Sequence, residues 1–545
     1  MNTISQQLKG LELLPLDVLL ELITFLPVFD ALSLVSTSQK LHTLRSNRSF
    51  WHILIQTLRR FSVPLACPLH ADLTQNLEIL TLRTLQRQQT ILSPSPSPVR
   101  VKNYLGYLRA IESISTISGT HLYLTCDLKD GMARCWDLTN GNALAEIYVG
   151  RNILAKSTLS TEKGKFLICL LVAETTREFV ATSVVVLCLD YLTRIDNSVP
   201  DSYSNVHLSI LHRSALDATY PAMYPSCAMN EQGLVVIAKM ATFIHLIAIN
   251  LNTGMKAILE TDLTEMEVDF IDLSFRGQDL IITTSSTRSS GMYTCSRDNL
   301  PYSSDPNVTT YRQHLNLLPH SVNIPSSATV LSYERCGFYP SGSRTSNGSI
   351  GTITEMPSKN SFATTTHYAI TYEKQGAEHY TECCFWHLDA PHAGEATPTE
   401  PVHQCRLPGL QFFEVPCAGS ESGAWGAFVC DVDLDIDANV DDFGHDFEVD
   451  VDVNNITATS AVRNMETDDS KAEIFLVHYD VFTRTSTVHR PLLPESLPGS
   501  CDWREVSSRS WVNNIKSIEF DERLGILYLM VDGLEGGMLC GLEFI

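Results

Sequence analysis

The sequence lacks a long hydrophobic run. Among its 545 residues, the longest predominantly apolar stretch extends from Phe179 to Leu189, only half of the ~20 residues that a membrane-spanning helix needs. The first residues also lack the apolar segment of a signal peptide, because Lys9, Glu12 and Asp17 interrupt them. The sequence therefore predicts no membrane segment and no membrane partner.

Cysteine is present, but not at the spacing that binds zinc. The 15 cysteines include no C-x-x-C pair, and no Cys/His ladder of the RING type occurs. Their number is odd, and Cys169 and Cys188 lie inside apolar runs, where a thiol acts as a small hydrophobe. We expect no metal site, no disulfide framework and a reducing compartment, the cytoplasm or the nucleus.

The common catalytic and cofactor motifs are absent as well. The chain contains no G-x-x-x-x-G-K-[ST], G-x-G-x-x-G, H-E-x-x-H or G-x-S-x-G sequence, and its 17 histidines are scattered. The sequence predicts no catalytic residues and no cofactor. An active site assembled from distant segments stays open as an alternative.

Positive charge is scarce and unevenly distributed. The 39 Lys and Arg residues face 62 Asp and Glu residues, which gives a net charge of −23. An acidic protein is repelled by phosphate backbones, so we expect no nucleic-acid partner. Residues 1–110 nevertheless carry a net charge of +5, which leaves −28 for the remainder. This asymmetry indicates two modules with different surfaces.

Apolar residues at helical spacing predict three short helices between residues 11 and 60. Pro15 suits the first turn of the first helix, Pro27 ends it, and Asp30 and Ser49 are the expected N-caps of the second and third. Their apolar stripes are Val18, Leu19, Leu22, Ile23 and Leu26; Leu32, Leu34, Val35, Leu41 and Leu44; and Trp51, Leu54 and Leu58. Three short helices cannot bury every one of these side chains. Periodicity leaves open whether the excess forms a partner surface or packs on the rest of the protein.

The order of these residues resembles the F-box family. The resemblance rests on Leu14-Pro15-x-Asp17-Val18-Leu19, followed by Ile23, Leu26, Leu32, Leu34-Val35, Leu41 and Trp51. It implies a three-helix F-box at 10–60, after a tail at 1–9. It also implies docking on a Skp-type adaptor, which joins the F-box to a cullin-RING ubiquitin ligase. The adaptor contacts that the resemblance implies are Leu14, Pro15, Val18, Leu19, Ile23, Leu26, Leu32, Val35 and Leu41.

A linker follows the three helices. Leu73, Leu77, Leu80 and Leu85 recur at helical spacing and predict a linker helix within 61–92. The Ser-Pro repeat at 93–100 then favours a stiff extended segment, because each proline disfavours helix at the residue before it. Phosphorylation of these Ser-Pro sites is the competing interpretation of the repeat.

The sequence pattern of residues 101–545 predicts an all-β domain. In the segment 120–147, a strand, an Asp130-Gly131 turn, a strand ending in Trp136-Asp137 and an Asn140-Gly141 turn follow one another. This segment resembles a WD-repeat blade, which implies a β-propeller; a pair of stacked sandwiches is the alternative. We expect about seven irregular blades, near 103–147, 154–195, 205–259, 265–300, 325–390, 405–485 and 510–545.

Three insertions interrupt the β-rich pattern. Segments 301–330 and 341–362 are rich in Ser, Pro, Asn and Thr, and 431–470 begins with a run of acidic residues, so all three are predicted loops. The acidic run at 431–452 does not fit an EF-hand calcium loop, which needs Gly at its sixth position and an acid at its twelfth. Counted from Asp431 the sixth residue is Ile436, and counted from Asp433 the twelfth is Gly444. We interpret this run as a solvated acidic insertion.

Together these patterns predict an α+β multidomain protein, with an F-box and linker helix before a large β-propeller. The predicted function is the substrate-recognition subunit of a Skp–cullin–F-box ubiquitin ligase. Its partners would be the Skp-type adaptor, cullin through that adaptor, and a protein substrate that the sequence does not identify. The alternatives are a non-degradative interaction scaffold and a propeller-fold enzyme.

Overall fold

A computed structural model provides the structure of the protein. It describes residues 10–60, 65, 77–108, 111–127, 129–161, 165–175, 180–193, 203–216, 226–230, 232–239, 243–264, 270–276, 279–285, 290–296, 299–300, 310–314, 318–320, 366–374, 380–388, 403–408, 410–411, 418–419, 425–432, 472–480, 483–494, 497, 511–533 and 536–544. The predicted tail at 1–9, the insertion at 341–362 and all but the first two residues of 431–470 lie outside the described residues.

Helices form the N-terminal region, as the apolar periodicity predicts. Their bounds are α1 Leu16–Thr24, α2 Val28–Ser36, α3 Gln39–His42, α4 Arg48–Arg60 and α5 Leu77–Ile91. A short 3-10 turn, Thr43–Ser46, joins α3 to α4. Leu19, Ile23, Val35, Leu41 and Leu54 are buried together in one core, which α5 shares. The region is thus a small helical bundle with its own interior.

The helix starts differ from the predicted ones. α2 begins directly after Pro27, whose carbonyl oxygen accepts a 2.9 Å bond from Ala31 N, so Asp30 lies in its first turn and is not its N-cap. Asn47 Oδ1 accepts a 2.8 Å bond from Ser49 N, so Ser49 is not the N-cap of α4. The predicted second helix is divided into α2 and α3. Ser38 is the N-cap of α3, because its Oγ accepts a bond from Leu41 N.

The remainder of the described chain is almost entirely β-structure. In chain order the strands are β1 Arg100–Leu108, β2 Ile111–Thr116, β3 Leu122–Asp127, β4 Met132–Asp137, β5 Asn142–Tyr148, β6 Asn152–Thr161, β7 Lys165–Thr175, β8 Val180–Thr193, β9 Tyr203–Leu216, β10 Cys227–Met229, β11 Leu234–Lys239, β12 Phe243–Asn250, β13 Lys256–Thr264, β14 Phe270–Arg276, β15 Asp279–Ser285, β16 Ser290–Cys295, β17 Thr310–His314, β18 Leu318–His320, β19 Thr366–Lys374, β20 Tyr380–Leu388, β21 His403–Pro408, β22 Leu410–Gln411, β23 Ala418–Gly419, β24 Trp425–Asp431, β25 Ala472–Asp480, β26 Thr485–His489, β27 Ile515–Asp521, β28 Ile526–Gly533 and β29 Gly536–Glu543.

The described strands form seven sheets, numbered here along the chain. Sheet 1 holds β2–β5, sheet 2 β6–β9, sheet 3 β10–β13 with β17, sheet 4 β14–β16 with β18, sheet 5 β19–β21, sheet 6 β22–β26, and sheet 7 β27–β29 with β1. Within each sheet consecutive strands pair mostly as antiparallel neighbours, whereas β17 runs parallel to β13. Apolar clusters join sheets 5 and 6, 6 and 7, 7 and 1, 1 and 2, 2 and 3, and 3 and 4.

The domain is a large β-propeller whose first strand completes its last sheet. Arg100 on β1 pairs with Glu543 on β29, and Val101 pairs with Leu542. The pairing of β1 with β29 joins the first and last strands of the propeller and covers the edge of β29 that would otherwise be open.

The predicted count of about seven blades is corrected to six. Of the sheets that the described residues form, six have the four or more strands of a blade, while sheet 5 has three. Several boundaries also differ, among them those at β1, which pairs with β29, and at β21, which completes sheet 5. β9 completes sheet 2 and does not open the next blade, and the predicted loop 301–330 contains β17 and β18.

The most apolar segment of the chain is a central strand of the propeller. On β8, Val185 and Leu187 pack in the cluster shared with sheet 1, while Val184 and Val186 pack in the cluster shared with sheet 3. Successive side chains of a strand point to opposite faces, so a strand covered on both faces is apolar at every position. Among the described residues, every helix falls short of the length or the apolarity required to cross a bilayer.

The WD-like segment of sheet 1 has the predicted local structure. Gly131, at φ +73°, turns β3 into β4, and a Cβ there would lie 2.8 Å from Tyr148 Cε2. Trp136 Nε1 donates a 2.9 Å bond to Thr125 Oγ1. Asp137 accepts bonds from Thr139 N and Oγ1 and so closes the next turn. The Trp-Asp ending thus stabilises both the strand pair and the turn that follows it.

Candidate protein-docking surface

α1 has a wider apolar face than its own core covers. Leu19 and Ile23, one turn apart, are buried in the helical bundle. Val18 and Leu22, also one turn apart and adjacent to that stripe, are 40% and 38% exposed. Because α1 is only nine residues long, two apolar stripes leave little polar surface on it. One stripe therefore stabilises the bundle, and the other faces water.

Further large apolar side chains are exposed at both ends of α1. Leu13, in the turn before the helix, is 80% exposed, and Phe25, directly after it, is 76% exposed. Leu16 at the start of α1 and Phe29 in the first turn of α2 are also exposed. We refer to Leu13, Leu16, Val18, Leu22, Phe25 and Phe29 as the N-terminal apolar surface. Several large exposed apolar side chains within one short segment are typical of protein-binding sites.

The two prolines of the motif determine where this surface lies. Pro15 and Pro27 immediately precede α1 and α2, and their carbonyl oxygens accept bonds from Leu19 N and Ala31 N. Proline suits this location because its fixed φ matches a helix start and its missing N–H needs no partner there. The helices therefore begin at defined residues, and Phe25 is left in the short connection between them.

The nine predicted adaptor contacts all lie in the helical region, but with different exposure. Leu19, Ile23, Val35 and Leu41 are buried in its core, and Leu14, Leu26 and Leu32 are half-buried. Pro15 and Val18 are exposed. In the structure, the side chains most accessible to a partner include five that the predicted set omits: Leu13, Leu16, Leu22, Phe25 and Phe29. The signal that could have identified Leu22 is its position one turn after Val18.

Aromatic packing fixes the helical bundle beneath this surface. Phe50 and Trp51 form an edge-to-face pair with ring centroids 5.0 Å apart. Trp51 Nε1 donates a 2.6 Å bond to the Arg45 carbonyl oxygen, and the Arg45 guanidinium forms a 3.2 Å ion pair with Glu78 on α5. The bundle and α5 are thus joined by packing and by a specific polar contact.

α5 in turn packs on the propeller. The Arg87 guanidinium donates a hydrogen bond to the Arg523 carbonyl oxygen, in the turn between β27 and β28. Ile91, at the end of α5, is buried in the cluster that contains Leu542 and Phe544. The helical region therefore contacts sheet 7 directly and does not depend on a covalent connection alone.

The Ser-Pro segment is held along the propeller by backbone bonds. Leu492 N donates a 3.0 Å bond to the Pro96 carbonyl oxygen, and Val99 N donates a 2.7 Å bond to the Glu543 carbonyl oxygen. The predicted stiff linker is therefore fixed at two points before β1 begins.

Two histidines lie at this junction, His489 buried and His478 partly buried. His489 Nδ1 donates a 2.7 Å bond to the Ser93 carbonyl oxygen, and its Nε2 lies 2.8 Å from Thr487 Oγ1. The Trp425 ring centroid is 5.6 Å from that of His489 and 4.5 Å from that of His478. Burial lowers the pKa of His489, and it lowers the pKa of His478 to about 4. Both imidazoles are therefore neutral at pH 7 in the folded protein.

Comparison with known proteins reveals similarity in fold only. No protein-family model and no curated protein sequence matches the chain. Similar solved structures include U3-55K, with 10% identity, a TM-score of 0.38 and coverage of 83% of this chain and 100% of that one. The WD40 repeats of RRP9 show 10% identity, a TM-score of 0.36 and coverage of 82% and 98%. The WD40 domain of SCAP from fission yeast shows 9% identity, a TM-score of 0.37 and coverage of 82% and 98%.

These likenesses carry no inference about binding or activity, because the three TM-scores are below 0.5. The F-box interpretation receives no support from a family model. It rests on the residues of the N-terminal motif and on the exposure of the surface that they surround.

Proposed function

We propose that the chain is the substrate-recognition subunit of a Skp–cullin–F-box ubiquitin ligase. In this proposal the N-terminal apolar surface binds a Skp-type adaptor, and the propeller binds the protein that is to be ubiquitinated. The chain itself carries out no bond chemistry. Its effect is to raise the effective concentration of the target beside the ubiquitin-loaded enzyme.

One observation carries the proposal. α1 presents Val18 and Leu22 to water, with Phe25 beside them, in the segment whose sequence resembles an F-box. Exposing large apolar side chains in water is unfavourable, and covering each one fully contributes about 1.5–3 kcal/mol. A partner that buries this surface would therefore gain much of its affinity from a few residues.

The junction between the helices and the propeller supports the same role. α5 packs on sheet 7 through Arg87 and Ile91, and the segment after it is bonded to the propeller at Pro96 and Val99. A fixed junction sets the distance and direction between an adaptor on the helices and a target on the propeller. A flexible linker would instead spread the target over many positions and lower its effective concentration.

Affinity capture of the tagged full-length chain from cells tests the proposal. The wild-type chain should capture a Skp-type adaptor and a cullin, and proteasome inhibition should enrich one or more further proteins. The variant Leu22→Ala/Phe25→Ala should lose adaptor and cullin together. Leu211→Ala/Leu492→Ala, at two exposed apolar positions of the propeller region, is the matched control and should retain both. Capture of the adaptor by the surface variant at the wild-type level would contradict the proposal.

A non-degradative scaffold is the second candidate. It is favoured by the propeller itself, whose sheets form a large platform for binding partners. Abundance measurements distinguish the two roles. Loss of a ligase subunit should raise the steady-state level of its target, whereas loss of a scaffold should leave the levels of its captured partners unchanged.

A further inference from the structure

One pair of cysteines lies directly opposite each other in sheet 5. Cys383 on β20 is the register partner of Cys405 on β21 in an antiparallel pair. Directly opposed residues of antiparallel strands have Cα atoms about 4.5–5.5 Å apart, and disulfides span about 4.4–6.8 Å between Cα atoms. All the remaining cysteines on the paired strands that the structure describes are opposite residues of another type. Cys383 and Cys405 are both thiols in this structure.

The two thiols are also in contact. The Cys383 thiol hydrogen-bonds the Cys405 sulfur, and this bond lowers the pKa of Cys405; burial opposes the shift, and a hydrogen bond with the Ser486 hydroxyl adds to it. Ser486 also lies 2.8 Å from His403 Nε2 through its Oγ, and its backbone N–H donates to the same nitrogen. The Glu382 carboxylate also raises the pKa of Cys405, but the hydrogen bonds prevail, and the net shift is toward the reactive thiolate form.

Cys405 differs from the other described cysteines in accessibility and in acidity. Cys405 is partly exposed, whereas the other ten described cysteines are buried. Burial raises the pKa of Cys135, Cys295 and Cys540 to about 12 in each case. It also raises the pKa of Cys384, which lies next to Cys383 in the chain but points to the other face of the sheet. Buried thiols with a raised pKa are inert toward oxidants.

We infer that Cys383 and Cys405 are a site of reversible oxidation, at which a peroxide converts the two thiols to a disulfide across β20 and β21. Cys405 is the attacking residue because a small oxidant can reach it, and Cys383 is the resolving residue because its sulfur is already in contact. The inference concerns the propeller alone and does not depend on adaptor binding.

The reaction balances in two steps. The Cys405 thiolate attacks one oxygen of hydrogen peroxide, an S–O bond forms as the O–O bond breaks, and the departing hydroxide takes up a proton to become water. The Cys383 sulfur then attacks the Cys405 sulfur; the S–S bond forms, the S–O bond breaks, and the leaving hydroxide takes the Cys383 proton. Two thiols lose two electrons in total, and one peroxide is reduced to two waters.

Peptide mapping of the purified full-length protein tests the inference. The protein is treated with increasing hydrogen peroxide, its remaining thiols are alkylated, and it is digested without reductant for mass spectrometry. We expect a peptide pair joined through Cys383 and Cys405 that dithiothreitol separates. Oxidation of Cys405 to sulfinic or sulfonic acid without this cross-link would overturn the inference, as would a cross-link from Cys405 to any other cysteine.

Two variants locate the bond. Cys384→Ala removes the adjacent thiol and should leave the cross-link intact, whereas Cys405→Ala should abolish it.

Alkylation kinetics provide a readout on the wild-type protein that needs no variant. The alkylation rate at Cys405 should reach its midpoint at a lower pH in the folded protein than in the urea-unfolded chain, because the pKa of Cys405 is lowered by its neighbours. An equal or higher midpoint in the folded protein would count against Cys405 as the attacking thiol.

Discussion

The Nδ1 atom of His489 donates a 2.7 Å hydrogen bond to the Ser93 carbonyl oxygen. This bond links the last strand of sheet 6 to the first residue of the Ser-Pro segment, 396 positions earlier in the chain. His489 is buried and in ring contact with Trp425, so the donor side of this bond is shielded from competing water. It is one of the contacts that hold the helical region on the propeller.

We predict that His489→Ala loosens this junction. The substitution removes the bond to Ser93, worth about 0.5–1.5 kcal/mol, and the packing on Trp425. Backbone amides of residues 93–99 should then exchange hydrogen faster than in the wild-type protein. Thr485→Ala, at the exposed start of the same strand, is the control and should leave that exchange unchanged. Equal protection of residues 93–99 in His489→Ala and the wild type would contradict the role of this bond.

A second prediction concerns the pH dependence of stability. Burial holds the pKa of His478 at about 4. Of the facing groups, Asp480 raises this pKa and His489 lowers it, each by a smaller amount. In the unfolded chain the pKa of a histidine is about 6.5. Below that pH the unfolded state binds a proton that the folded state does not. The contribution of neutral His478 to the free energy of unfolding is therefore fully present above pH ~6.5. It is lost progressively as the pH falls to about 4.

Urea unfolding between pH 7.5 and 4.5 measures this effect. The wild-type protein should lose on the order of 2 kcal/mol of unfolding free energy from this residue across that range. His478→Gln should show a correspondingly flatter profile, because glutamine takes up no proton. An identical pH slope for variant and wild type would show that His478 does not contribute to acid sensitivity.

A third prediction tests the closure of the propeller. A Cβ added at Gly541 on β29 would collide with the Tyr104 ring on β1 and lie 3.1 Å from Ile526 Cγ2. Tyr104 also donates a 2.8 Å bond from its hydroxyl to Glu543 Oε1. Gly541→Ala should therefore weaken the pairing of the first and last strands and destabilise the protein by about 1–3 kcal/mol.

The urea midpoint measures that loss. Gly10→Ala is the matched control, because a Cβ at Gly10 meets nothing within 4 Å, and it should unfold at the wild-type midpoint. If Gly541→Ala also unfolds at the wild-type midpoint, then the close approach of Tyr104 to Gly541 is not needed for closure.

The features that sequence reasoning predicted well are local. The stripe formed by Leu19 and Ile23 follows from helical spacing, and the turns at Gly131 and Gly141 follow from residue types that accept positive φ. The Trp136-Asp137 ending likewise bonds within its own hairpin and the turn after it. Such features depend on residues close in sequence, so a short window contains the information that specifies them.

The features that it missed depend on residues far apart in the chain. No pattern near β17 indicates that this strand joins sheet 3 in parallel beside β13. The opposition of Cys383 and Cys405 depends on strand register, which the residue types alone do not determine. Val35 and Leu41 lie in the core that the helices of the bundle share, whereas Val18 and Leu22 are exposed, and periodicity cannot distinguish a stripe that faces a core from one that faces water.

Direct titration of the purified full-length chain with a purified Skp-type adaptor, followed by calorimetry, tests the central claim of adaptor docking. We expect binding by the wild-type chain and at least tenfold weaker binding by Leu22→Ala/Phe25→Ala, since a loss of 1.4 kcal/mol corresponds to a factor of ten. Leu211→Ala/Leu492→Ala should bind as the wild type does. No heat of binding for the wild-type chain, or equal affinity for all three proteins, would contradict the claim that this surface docks an adaptor.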